Sequence, residues 1–215
     1  MIKKLITTLI ARTCSLYIEF VYKSSTITII ENVENNNYND CILGFWHGDS
    51  FSNYLLLKDI KKRSINLDVI VTADRRGDYI SDICKNYNVN PIRVSDGVKI
   101  KESLKEVKNI SNIANRSFMV SLDGPLGPKH IPKKLAYMLS NNSKKDFVII
   151  SSKIDKKIEL KNRWDNYVIP LPFNNIEFYI EREKYIDREI LKNFDTRKYL
   201  YIPKENIKEE HIFST

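Results

Sequence analysis

Short, almost wholly apolar runs separated by helical stretches constrain this chain more than any other feature. "CILGFW" (41–46), "LDVIVT" (67–72), "SFMVSL" (117–122) and "DFVIISS" (146–152) are short, apolar and rich in β-branched or aromatic residues. That pattern marks strands covered on both faces. Between them, residues 50–62, "DYISDICKNY", "KIKESLKEVKNI" and "PKKLAYML" carry helical spacing. "STITII", "PIRV" and "IEFYIE" add further short strands. The expectation is an α/β domain built on a mixed, largely parallel sheet flanked by helices. No period repeats along the chain, and 215 residues with 42% hydrophobic content suit one globular core.

Open sheets of this kind bind ligands where strands end and loops begin. Four loop starts therefore matter. The first carries His47 and Asp49, in "WHGD". The second carries Arg75 and Arg76, in "TADRRGDYI". The third carries Arg93 and Ser95, in "IRVSDG". The fourth is "DGPLGPKH", with Asp123, Gly124, Pro125 and Lys129. Two Gly-Pro pairs in five positions make that last loop stiff, because proline fixes φ and lacks an N–H donor. One imidazole, several carboxylates and several guanidinium groups at one sheet edge suit a site that grips an anion and moves a proton.

The first 22 residues stand apart. Lys4, Thr8, Arg12, Ser15 and Glu19 recur at steps of three and four, with Ile2, Leu5, Ile6, Leu9, Leu16 and Phe20 elsewhere around the helix. This spacing predicts an amphipathic helix, either packed on its own domain or lying in the plane of a membrane. The run is too polar for a span, which needs about 20 mostly apolar residues. The expected organisation is thus 1–22 as a membrane-contact helix, 23–195 as the α/β domain and 196–215 as a charged tail.

Composition narrows the function classes. Lys and Arg number 35 against 27 acids, a net charge of +8, which favours anionic partners. A nucleic-acid binder is disfavoured, since no recognised module is present and the lysines are scattered among acids. Neither G-x-x-x-x-G-K-[ST] nor G-x-G-x-x-G occurs, against a nucleotide-binding enzyme. Three widely spaced cysteines without C-x-x-C point to no disulfide framework and no metal site, and fit a reducing cytoplasm.

Taken in order, "GFWHG", "ADRRGDYIS", "IRVSDG", "DGPLGP" and "RWDNYVIPLPF" resemble the lysophospholipid acyltransferase superfamily, within it a bacterial branch long catalogued as a domain of unknown function. The resemblance implies transfer of a fatty acyl group from a thioester to a hydroxyl of a lipid acceptor. The donor would be acyl carrier protein or acyl-coenzyme A, used as co-substrate, with no resident cofactor. It implies a peripheral enzyme on the cytoplasmic side of the membrane, with membrane lipids as partners. His47 takes the general-base role, Arg93 the acceptor phosphate, Asp123-Gly124-Pro125 the acidic third motif, and Pro170 or Pro172 a wall of the site. The superfamily places an acid five residues after the histidine, where this chain has Ser52. That leaves Asp49 and Asp123 as candidate partners of the imidazole, and a non-catalytic lipid-binding relative as the alternative.

Overall fold

The computed structural model describes residues 2–32, 37–62, 65–95 and 100–194. The expected charged tail at 196–215 lies outside them. Nine strands and six α-helices follow one another among the described residues. The strands are β1 (Thr26–Glu31), β2 (Cys41–Phe45), β3 (Leu67–Thr72), β4 (Val89–Val94), β5 (Ser117–Ser121), β6 (Asp146–Ile154), β7 (Lys157–Leu160), β8 (Tyr167–Pro170) and β9 (Asn175–Glu183). The helices are α1 (Ile2–Ser24), α2 (Ser50–Lys62), α3 (Arg75–Asn86), α4 (Ile100–Ser111), α5 (Lys134–Ser143) and α6 (Arg188–Lys192).

Seven strands form one sheet in the order β1-β9-β6-β2-β5-β3-β4. All neighbouring pairs are parallel except β6 with β9. The mixed, largely parallel α/β sheet expected from the apolar runs is therefore present. β2 lies at its centre between β5 and β6, and every one of its residues is buried. Two apolar clusters cover the sheet. One gathers Leu43, Leu55, Val69, Val148 and Phe178, and the other gathers Ile42, Phe118, Val120, Leu139 and Phe147.

α1 packs into this core. Ala11, Ile18 and Val21 are buried, whereas Leu9, Leu16 and Phe20 are exposed. The expected polar stripe is partly taken up by neighbours. Glu19 pairs with Lys58 of α2 and with Lys23, and the Ser15 hydroxyl accepts from Asn86 of α3. The helix thus belongs to the same folded body as the α/β domain. No helix among the described residues is long and apolar enough to cross a membrane.

β7 and β8 pair antiparallel as a separate two-stranded sheet. This hairpin leaves the carboxyl end of β6, and its turn, residues 161–166, reaches back over the end of β2. β9 starts at that same edge, because Ile154 at the end of β6 pairs with Ile176. β1 then joins as the outer strand, Thr26 beside Asn175.

Candidate active site

His47 opens a short 3-10 turn, His47–Asp49, directly beyond β2. Its backbone N–H donates to Asp123 Oδ1 at 2.9 Å. The same carboxylate accepts from the Ser121 hydroxyl at 3.0 Å and from the His130 backbone N–H at 3.2 Å. Asp123 is fully buried. The Gly-Pro loop therefore places its carboxylate beside His47, but on the main chain. It ties the end of β2 to the end of β5 and to the far side of its own loop.

The imidazole has another partner. Its Nδ1 lies 2.8 Å from Asp165 Oδ2, in the hairpin turn. An ionised carboxylate can only accept, so Nδ1 carries the hydrogen and Nε2 keeps its lone pair. Nε2 has no hydrogen-bond partner among the described residues. Arg163 grips the same carboxylate with two bonds, Nε to Oδ1 at 2.9 Å and Nη2 to Oδ2 at 2.7 Å. Burial pushes the Asp165 carboxyl up, but the bonds from Arg163 and His47 outweigh it and bring its pKa down to about 2. The Asp165 side chain has no exposed surface, while 29% of the His47 side chain is open. This is the geometry of a base whose ring is held by a permanently charged acid and whose second nitrogen is free.

Two glycines of the quoted motifs make room for that turn. A Cβ on Gly48 would lie 2.5 Å from the Asp165 carbonyl oxygen, and one on Gly127 would lie 2.3 Å from the Trp164 ring. Gly127 also has φ +66°, which side chains disfavour. The "HG" and "LGP" glycines thus serve one purpose: both let the hairpin turn settle onto the end of β2. Trp164 then stands with its ring 5.2 Å from the imidazole.

Asp49, the other expected partner, does not reach the ring. Its carboxyl is hydrogen-bonded by the backbone and hydroxyl of Ser152 at the end of β6, and burial pushes its pKa up to about 6. Ser52 fills the position of the expected acid. Fully buried, its hydroxyl donates to the Asp49 carbonyl at 2.7 Å and lies 3.1 Å from the Ser152 hydroxyl. Sequence reasoning missed Asp165 and Arg163. The available signal was the Arg-Trp-Asp run in "RWDNYVIPLPF", where two opposite charges flank an aromatic.

The expected anion-binding residues divide. Arg93 is committed to its neighbours, donating to the Ser81 hydroxyl, the Asp74 carbonyl and the Asp78 carboxylate at 2.9–3.0 Å. It braces the start of α3, and its side chain remains about one-third exposed. The Ser95 backbone N–H meets the Ser103 hydroxyl at 3.3 Å. Arg75 is exposed and makes no ion pair among the described residues, and Arg76 pairs with Asp74 at 2.7 Å. Both line a cavity of about 420 Å³ between α1 and α3, together with Ile6, Ile10, Asp78 and Tyr79. Burial raises the pKa of the Tyr79 hydroxyl above its ordinary value. Gly124 has φ +67°, Pro125 is exposed, and half-buried Lys129 acts electrostatically on Asp49, His130 and Glu159. Among the described residues no group of His, Cys, Asp or Glu is arranged to hold a metal ion.

Comparison of the chain with family models, curated proteins and solved structures finds no match.

Proposed function

We propose that the protein is an acyltransferase in which His47 is the general base. The observation that carries this is the Arg163–Asp165–His47 chain, which leaves Nε2 open at the carboxyl edge of the sheet. In this reaction Nε2 takes the proton of an acceptor hydroxyl. The freed oxygen attacks the carbonyl carbon of an acyl thioester, the C–S bond breaks, and the proton passes to the departing sulfur. A base of this kind supplies about 10²–10⁴-fold. The cavity between α1 and α3, with Arg75 and Arg76 beside apolar Ile6 and Ile10, suits an acceptor that joins an anionic head to an acyl chain. Acyl carrier protein or acyl-coenzyme A is the donor. The acceptor is a lysophospholipid or a related lipid, met at the cytoplasmic face of a membrane. The non-catalytic alternative rests on Ser52; the buried Asp165 carboxylate on the imidazole supports the catalytic reading over it.

The test is thioester turnover by the purified chain with liposomes, acyl-carrier and acyl-coenzyme-A donors, and a panel of lysolipids. His47→Ala is expected to lower turnover by about 10²-fold or more at unchanged melting temperature. Wild-type turnover by a folded His47→Ala protein would remove the mechanism.

A further inference from the structure

On one face of the β7–β8 hairpin two apolar side chains, Ile158 and Leu160, are exposed, while Tyr167 and Ile169 on the same face are half-buried. Directly opposed residues of an antiparallel pair share a face. Ile158 opposes Ile169, and Leu160 opposes Tyr167. Ile158 is 49% exposed and Leu160 39%, whereas Val168 on the other face is buried. The same surface continues at both ends. At the turn, Trp164 is 36% exposed and adjoins the loop of Leu126, the most exposed large apolar residue among the described residues at 86%. At the base, Phe173 is 66% exposed and meets Phe20 of α1 edge-on, ring centres 6.0 Å apart. Phe173 holds φ +56°, a conformation disfavoured for a bulky residue, while presenting its ring to water.

Basic residues border this apolar strip. From Lys153 to Trp164 the chain carries Lys153, Lys156, Lys157, Lys161 and Arg163. Lys153, Lys157 and Arg163 pair with Glu177, Glu159 and Asp165, which leaves Lys156 and Lys161 without an ion pair among the described residues. Aliphatic and aromatic side chains framed by lysines fit a surface with an apolar interior and anionic headgroups. The strip is a ridge formed by a hairpin rather than a groove that would receive a partner's helix.

We infer that the β7–β8 hairpin, with Leu126 and Phe173 at its ends, is the face that seats this protein on an anionic lipid bilayer. The dyad turn then lies at the membrane interface. This deepens the lipid-handling reading of the site, yet it is measured by vesicle binding without turnover, so the two fail separately.

The chain carries its own reporter. Trp46 is 2% exposed and Trp164 is the second of only two tryptophans. Adding phosphatidylcholine vesicles that contain phosphatidylglycerol to the full-length protein should shift tryptophan emission to the blue. Brominated lipid should quench it, and Trp164→Phe should abolish both responses. Co-sedimentation should weaken about tenfold in Ile158→Ser/Leu160→Ser. It should weaken severalfold in Phe173→Asn, where Asn tolerates the positive φ, and in high salt for every form. Far-UV circular dichroism verifies folding, and Phe173→Asn serves alone if the double variant does not fold. Unchanged binding by the folded variants, or no spectral response of Trp164, would overturn the inference. So would binding to an acidic carrier protein, lost in the same variants, without binding to vesicles.

Discussion

Two loops bring a buried carboxylate to His47, and they do different work with it. The Gly-Pro loop after β5 places Asp123 on the histidine's backbone, where it accepts from three donors of the protein's own frame. The hairpin turn places Asp165 on the imidazole, with Arg163 holding the carboxylate from behind. One carboxylate fixes where the histidine is, and the other fixes which nitrogen is basic. Proximity to a histidine therefore does not define a catalytic acid; the atom it contacts does.

The largest expected effect separates the two directly. Asp165→Asn should lower turnover by about 10²–10⁴-fold, because an amide can hold the ring in the wrong tautomer and offers no charge to the imidazolium. Its melting temperature should fall as well at neutral pH, because the bonds from Arg163 and His47 that hold this carboxyl pKa low stabilise the fold. Equal turnover by wild type and Asp165→Asn, measured at saturating thioester, would sink the distinction.

Asp123→Asn should show the reverse balance. An amide has one acceptor oxygen for three donors and places its own N–H₂ among them, which costs about 1–3 kcal/mol. Denaturant unfolding should report that loss, and turnover should fall less than in Asp165→Asn.

The pH dependence of stability sharpens the contrast with Asp49. Asp165 is held at about 2, below its unfolded value, so its stabilising contribution is present above the ordinary carboxylate pKa. That contribution is lost as pH falls toward 2. Asp49 is raised to about 6, so the fold favours its protonated form, and stability is lost as pH rises through 6. Asp49→Asn should raise stability by on the order of 1 kcal/mol at about pH 8 and change little near pH 4. Thermal melts at the two pH values check this smallest effect. A gain of equal size at both would show that packing, not charge, sets the cost of Asp49.

The elements legible in the sequence were those with strong periodicity. α2 spans the expected 50–62, and the buried strands appear where apolar runs stand. The four loop starts also fall at one edge of the sheet, as alternation of strand and helix requires. The hairpin was not legible. "KIEL" is four residues with two charges, and its partner "YVIP" ends in proline, so neither carries a strand signal above its surroundings. Asp165 is 118 residues from His47, and only the completed fold brings them together. α6, at five residues, is too short for a period to show. The bracing of α3 by Arg93 was not legible either, because a guanidinium at a strand end shows its partners only once the helix is in place.

The pairing of β1 with β9 has a consequence for how the chain is made. Thr26 lies beside Asn175, and the Tyr17 hydroxyl donates to the Pro170 carbonyl across 153 residues. On a ribosome, β1 is made well before β9, the strand that receives it. Such distant contacts slow folding, because a long loop must close before they form. Until β9 is made, β1 has no partner in the sheet. An outer strand of the sheet is thus made early and placed late.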